Sequence, residues 1–177
     1  HKPEIIFLAD DYEFIAYNTK AVAYANNSHC TAAGYVSALN GACGGVLGKN
    51  VLVLGAGRVG RIAAKLLNAK GAKVILADID RKKAEEAAIR IAGATVADDI
   101  EKAIASNDLI INASPAHVET RNIRKGAIIS SPGVPHSFDD EAYAKATIIH
   151  DPLSIGVSVM AVTSAALYVR DEKRCRR

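Results

Sequence analysis

Lys49-Asn50-Val51-Leu52-Val53-Leu54-Gly55-Ala56-Gly57-Arg58-Val59-Gly60 decides the fold. The apolar run Val51 to Leu54 reads as a buried strand. Gly55-x-Gly57-x-x-Gly60 follows it directly and opens a helical stretch. A second apolar run, Lys73 to Ala77, ends in Asp78, 21 positions beyond Gly57. Glycines at that spacing are common. Between a strand and a helix, with an acid about 20 residues on, they form the dinucleotide-binding pattern. Gly55 permits the tight turn out of the strand, Gly57 lets a diphosphate approach the backbone, and Gly60 lets the helix lie close to the sheet. The N–H groups of Arg58, Val59 and Gly60 are expected to point at the phosphates, helped by the positive end of the helix dipole. Asp78 is expected to accept hydrogen bonds from the adenosine ribose. Its charge opposes a 2′-phosphate, which favours NAD over NADP, although Arg81, Lys82 and Lys83 close behind pull the other way.

Beyond this motif the chain alternates short apolar runs with Ala-rich, charge-faced ones. The pattern predicts strands at 51–54, 73–77, 94–96, 108–112, 126–130 and 146–149, and helices at 58–69, 80–92 and 98–105. Such alternation implies an α/β fold, a Rossmann-like doubly wound parallel sheet covered on both faces. Ahead of it, Ile5 to Ala9 reads as a strand ending at Asp10-Asp11, and Tyr12 to Ala25 is mixed. Asn26-Asn27 breaks the pattern, and Ser28 is placed to cap a helix through Thr31 to Leu39. Gly41, Gly44, Gly45 and Gly48 read as a linker. The expected division is therefore residues 1–45, the remainder of a preceding α/β substrate domain with a linking helix; 49–150, the dinucleotide-binding domain; 151–170, a C-terminal helix containing the apolar stretch Ile155 to Val169 and packing back on the first domain; and 171–177, a disordered basic tail.

In an open α/β sheet, ligands bind outside the carboxyl ends of the strands. Three predicted loops lie there. Asn112-Ala113-Ser114-Pro115 has small residues that leave room for ribose and nicotinamide. Ser130-Ser131-Pro132-Gly133-Val134-Pro135 is stiffened by its prolines, and Pro132 and Gly133 join Ala113, Ser114 and Pro115 as cofactor-binding candidates. Asp151-Pro152-Leu153-Ser154-Ile155-Gly156 follows the last strand. The plain alternative for each is an ordinary turn. His29, His117, His136 and His150 are scattered singly, with His117 and His136 on predicted sheet-end loops. Cys30 lacks a base partner and reads as a small buried residue. Asp10-Asp11 and Asp151 close strands. Two acids facing one cleft suit a substrate bearing ammonium groups; the alternative is a cap for Asp11 and a turn former for Asp151.

Half of the 177 residues are hydrophobic, enough for a sizeable core. No apolar run reaches the ~18 residues needed to span a bilayer, and the polar start His1-Lys2-Pro3-Glu4 does not read as a signal peptide, so no membrane partner is expected. Cys30, Cys43 and Cys175 show no metal-ligand spacing and read as reduced thiols in a cytoplasm. The net charge of +3 owes its excess to Arg170–Arg177, a solvated end rather than a nucleic-acid site. The chain lacks an initiator Met and opens almost directly into a strand, which suggests a fragment with earlier residues missing.

The segments from Ile5 to Asn18, Ala25-Asn26-Asn27 with Cys30-Thr31, Ser131 to Pro135 and Asp151 to Gly156, in that order around the Gly-rich loop, resemble the pyrrolysine synthase family from about Ile5 to Leu167. The resemblance implies an NAD-dependent oxidation of the primary amine in the methylornithyl part of a lysine conjugate. The imine then loses ammonia as the substrate's own nitrogen closes a pyrroline ring. It implies substrate-binding roles for Asp10 and Asn27, and for Asp151 at a position the family usually fills with Glu. The implied partner is a small molecule of lysine–ornithine type, and a homodimer is an open option. Two departures stand out: the N-terminal helical part that completes the family's substrate cavity is absent from this sequence, and the basic tail has no counterpart. No residue is identified as a general base. Two other readings stay open. One is a dipicolinate-synthase-like or alanine-dehydrogenase-like enzyme of the same architecture. The other is a non-catalytic NAD(H)-sensing module hinged at Gly41 to Gly48.

Overall fold

The computed structural model describes residues 3–135, 137–151 and 153–175. The chain starts in a small antiparallel sheet of β1 (Ile5–Ala9), β2 (Phe14–Asn18) and β3 (Ala23–Asn26), in that order. The mixed stretch Tyr12 to Ala25 thus contains two short strands. Its period was obscured because β2 turns Ala16 and Asn18 inward, one small and one polar. Buried Asn18 is satisfied on both sides: Nδ2 donates to the Ser164 carbonyl at 2.8 Å, and Oδ1 accepts from the Lys20 and Ala21 N–H groups at 2.9 Å each. Ala16, Ala25, Cys30 and Met160 form the core beneath this sheet.

Helix α1 (Asn27–Ala42) follows. Its cap is Asn26, whose side chain accepts from the Ser28 N–H at 2.9 Å, rather than Ser28 itself. The helix continues past Leu39 through Gly41, so the glycine-rich connection begins only at Cys43. Both differences place the boundaries where side-chain capping is available and not where the apolar pattern starts and stops.

The larger unit is a six-stranded sheet. It contains β4 (Asn50–Leu54), α2 (Arg58–Ala69), β5 (Lys73–Ala77), α3 (Arg81–Ala88), β6 (Thr95–Val96), α4 (Ile100–Ser106), β7 (Leu109–Asn112), β8 (Ile128–Ser130), α5 (Asp140–Lys145) and β9 (Thr147–Ile149). The order is β6-β5-β4-β7-β8-β9, with every pairing parallel. Residues alternate across it: Val51 and Val53 of β4 enter the core shared with α1, α2 and α3, while Leu52 and Leu54 enter the core formed with α4 and α5. Burial on both faces explains the uninterrupted apolar run that marked β4 in the sequence. The strand order reverses between β4 and β7, which opens a crevice at their carboxyl ends.

Helix α6 (Ser154–Cys175) returns to cover the small sheet and α1. Its backbone extends through Asp171 to Cys175, where the sequence suggested a disordered tail. Two glycines set the approach of α1 and α6. A Cβ on Gly34 would lie 2.6 Å from Ile155 Cγ2, and one on Gly156 would lie 2.7 Å from Thr31 Oγ1. Tyr35, 1% exposed, pins the start of α6: its hydroxyl donates to the Asp151 carbonyl and accepts from the Asp151 N–H at 3.0 Å. Burial pushes this phenol above its ordinary pKa. Tyr35→Phe would leave a peptide unit without its partner. It is expected to cost ~1–3 kcal/mol, a Tm fall of about 2–12 °C for a chain of this size by thermal unfolding.

Candidate dinucleotide site

Gly55 leaves β4 with φ +89°, and a Cβ there would sit 2.9 Å from the Ala113 backbone. Gly60 presses on the turn from the other side, where a Cβ would fall 1.8 Å from the Gly55 carbonyl oxygen. Gly57 differs: its φ of −72° suits any residue, and a Cβ would meet nothing within 4 Å. Two glycines are therefore needed to build the turn, and the third leaves space in front of it. That space faces the N-terminus of α2, which has no side-chain cap and no acidic residue in its first turn. The amides of Arg58, Val59 and Gly60 lie in this turn, before any intrahelical acceptor is available to them. These features fit a diphosphate.

Asp78 follows β5 beside the glycine turn. Its Oδ2 accepts from the Ala56 N–H at 2.7 Å and its Oδ1 from the Asp80 N–H at 2.9 Å. A carboxylate has about four acceptor positions, so Asp78 can brace the turn and still receive a ribose hydroxyl. Arg81 forms ion pairs with Glu85 at 2.8 Å and Asp98 at 2.9 Å, so its charge is already matched. This arrangement agrees with NAD. Leu54, Ala77, Ile79, Ile100, Ile104 and Val118 line an apolar cavity of about 80 Å³ next to Asp78, with His117 at its rim. It is suited to a flat base edge. Its α4 residues escaped the sequence reading because they carry no motif, only helical spacing.

The loops after β7, β8 and β9 are tied together. Buried Asn112 donates from Nδ2 to Ser131 Oγ at 3.4 Å, and its carbonyl accepts from the Gly133 N–H at 3.1 Å. Ser137 Oγ donates to the Ser114 carbonyl at 3.1 Å, and His150 Nδ1 meets the Ser131 carbonyl at 2.8 Å. Gly133 is required by packing, since a Cβ would lie 2.3 Å from the Ser114 oxygen. Its amide is spent on Asn112, so what it offers a ligand is room. Ala113, Ser114 and Pro132 are half-buried and Pro115 is exposed on these loops. His136 and Pro152 lie outside the described residues.

A cleft of about 400 Å³ separates the small sheet from the glycine turn. Asp10, Asp11, Tyr12 and Phe14 line one side, Asn26, Asn27 and Ser28 the floor, and Gly57, Arg58, Val59 and Ala113 the other side. Asp10 and Asn27 therefore share a cleft with the dinucleotide loop. Asp151 does not line it. Asp10 Oδ1 accepts from the Glu13 N–H at 2.7 Å and the Tyr12 N–H at 2.8 Å, which holds its carboxyl below the ordinary range. Asp151 Oδ1 accepts from the Ser154 N–H at 2.7 Å and the Leu153 N–H at 3.1 Å, with the same effect. Both acids are turn formers, so the sequence alternative for Asp151 describes its local role. Asn27 Oδ1 accepts from Thr31 Oγ1 at 3.0 Å. Cys30 is 1% exposed, and burial raises its thiol pKa, which leaves it a core residue. Arg58 Nη1 donates to the Tyr12 carbonyl at 3.0 Å, a link across the cleft that nothing in the sequence signalled. No cluster of three or more His, Cys, Asp or Glu side chains suited to a metal is found among the described residues. Among them no helix is long and apolar enough to cross a membrane.

Residues 19–131 match the model of the NAD-binding domain of D-isomer specific 2-hydroxyacid dehydrogenases. The chain belongs to that family. The chain is 31% identical over 168 residues to pyrrolysine synthase of Methanosarcina barkeri, a match spanning 89% of the chain and 60% of that protein. It is 42% identical over 89 residues to glutamyl-tRNA reductase of Methanosarcina mazei, covering 48% of the chain and 20% of that protein. Shikimate dehydrogenase of Aquifex aeolicus superposes with a TM-score of 0.67 at 20% identity, covering 89% of this chain and 64% of that one. The last likeness is one of fold. The chain thus spans about three-fifths of pyrrolysine synthase and one-fifth of glutamyl-tRNA reductase.

Proposed function

We propose that the protein is an NAD-dependent dehydrogenase of the pyrrolysine synthase kind, acting on a primary amine of a lysine–ornithine-type conjugate. The observation that carries this reading is one cleft walled by the NAD-binding loop on one side and by Asp10 on the other, with Asn27 on its floor. Bound NAD supplies the hydride acceptor. Asp10 offers a carboxylate to an ammonium group, with its orientation fixed by the two N–H groups that also keep it ionised. Asn27, at the head of α1, lines the same cleft, its Oδ1 held by Thr31 Oγ1. The substrate amine loses a proton before hydride leaves the carbon that bears it, and the described lining of the cleft holds no His, Lys or Cys, so solvent or a carboxylate takes that proton. Asp151 stands outside the cleft wall, where it accepts the Leu153 and Ser154 N–H groups at the start of α6. The 31% identity along nine-tenths of the chain supports this substrate class.

The test is to incubate full-length protein with NAD and the lysine–methylornithine conjugate and follow the reduced cofactor by absorbance. Turnover with alanine or dihydrodipicolinate in place of the conjugate would move the protein to another substrate class, and nucleotide binding without any turnover would make it a sensor. Substrate affinity should also carry a specific pH signature. The Glu13 and Tyr12 N–H groups hold the Asp10 carboxyl of the folded protein below its ordinary value, so it is ionised throughout the neutral range and its pull on an ammonium group disappears only in stronger acid. Conjugate binding measured from pH 5 to 8 should therefore show no acid limb, and Asp10→Asn should weaken it about equally across that window.

A further inference from the structure

We propose that Arg58 is a positioning residue that ties the Asp10–Glu13 turn to the dinucleotide loop, so that filling the diphosphate position orders the turn. The hairpin tip is exposed and closed by its own bonds: the Asp10 N–H donates to the Glu13 carbonyl at 3.0 Å, and Asp10 Oδ1 receives the Tyr12 and Glu13 N–H groups. Across the cleft, the hydrogen bond from Arg58 Nη1 to the Tyr12 carbonyl at 3.0 Å fastens it to α2. Arg58 is the first residue of α2, beside the open space in front of Gly57. None of the ion pairs among the described residues uses it, and the first turn of α2 holds no acid. A guanidinium has five donors in a rigid fork. One edge can therefore hold Tyr12 while another meets an anion at the helix end, and a charge-assisted contact there would restrict the whole side chain. The coupling runs through Arg58 to the turn that aims the Asp10 carboxylate.

The proposal takes the diphosphate at α2 as given and adds to the reading of Asp10 as a substrate contact. Its test measures the turn directly, so it stands or falls whichever substrate is used. Hydrogen exchange of the full-length protein is followed at the Tyr12 and Glu13 amides, with and without saturating NAD, in wild type, Arg58→Met and Arg58→Lys. In wild type, NAD should slow exchange at both amides at least threefold. In Arg58→Met, exchange should be faster without NAD and unresponsive to it, while amides of β4 and β5 keep wild-type protection and NAD still binds at higher concentration. Arg58→Lys, which keeps charge but loses the fork, should recover at most part of the response. A Met variant that binds NAD more weakly while Tyr12 and Glu13 behave as in wild type would overturn the proposal, leaving Arg58 a phosphate contact only. If the Met change disturbs β4 and β5, the Lys variant decides: a full wild-type response to NAD in it overturns the proposal.

Discussion

Gly57→Val should cut NAD affinity by about 100-fold or more, ~2.7 kcal/mol, while leaving the fold nearly intact. The backbone at Gly57 is extended and acceptable to valine, and a Cβ meets nothing within 4 Å. The new side chain occupies the volume in front of the α2 amides and nothing else. Losing glycine from the N-cap costs a few tenths to about 1 kcal/mol, a Tm fall of no more than about 4 °C. Gly60→Ala should behave differently despite its smaller added volume. Its Cβ would lie 1.8 Å from the Gly55 oxygen, so the turn must move, and stability should fall by about 1–3 kcal/mol together with binding. Calorimetric titration with NAD and thermal unfolding of both variants separate the two roles. Equal loss of stability in both, or full NAD affinity in Gly57→Val, would refute the assignment of the space before Gly57 to the diphosphate.

Asp78→Ala should weaken NAD by about 10- to 150-fold, the worth of one hydrogen bond to a charged group at ~1.5–3 kcal/mol. It should also narrow the preference for NAD over NADP, because the negative charge opposing a 2′-phosphate is gone. Two effects are mixed in that change, since Asp78 also receives the Ala56 N–H at 2.7 Å and so braces the glycine turn. Asp78→Asn separates them: the amide oxygen keeps an acceptor for Ala56, and only the charge is lost. NADP should gain relative to NAD in both variants, with the larger loss of NAD affinity in Asp78→Ala. Arg81 should not capture the 2′-phosphate unaided, being already paired with Glu85 and Asp98. Titrating each variant with both dinucleotides checks this. An unchanged NAD to NADP ratio in Asp78→Asn would show that Asp78 only braces the turn.

The parallel sheet was readable in the sequence because its strands are buried on both faces and its helices are not. Val51 to Leu54 could be little else, and the glycine spacing fixed the turn after it. The small sheet was harder to read. Its strands are four or five residues long, and only three of their residues are fully buried. Inward positions such as Ala16 and Asn18 contribute little apolar signal. At the site, the glycines and Asp78 were legible because each is demanded by backbone geometry or by a fixed spacing. The link from Arg58 to Tyr12 spans 46 residues and has no local signature. Asp10 and Asp151 stood out as acids closing strands, while Asn27, and a substrate-binding role for all three, came from resemblance. The structure brings Asp10 and Asn27 to the cleft and gives Asp151 the task of starting α6. Tyr35, buried in α1 and holding Asp151 by both backbone groups, carried no signal beyond being aromatic in a helix.

Helix α1 has its feet in two cores: Ala32, Val36 and Leu39 are packed with Val51, Val53 and α2, while Cys30, two residues ahead of Ala32, is packed with Met160 under the small sheet. The glycines at 44–48 therefore mark a bend in the chain and not a place to cut it. A nucleotide-binding module excised from Val46 onward would expose the apolar flank that α1 now shields. A soluble minimal version has to begin no later than Asn26, carrying the helix and its cap along.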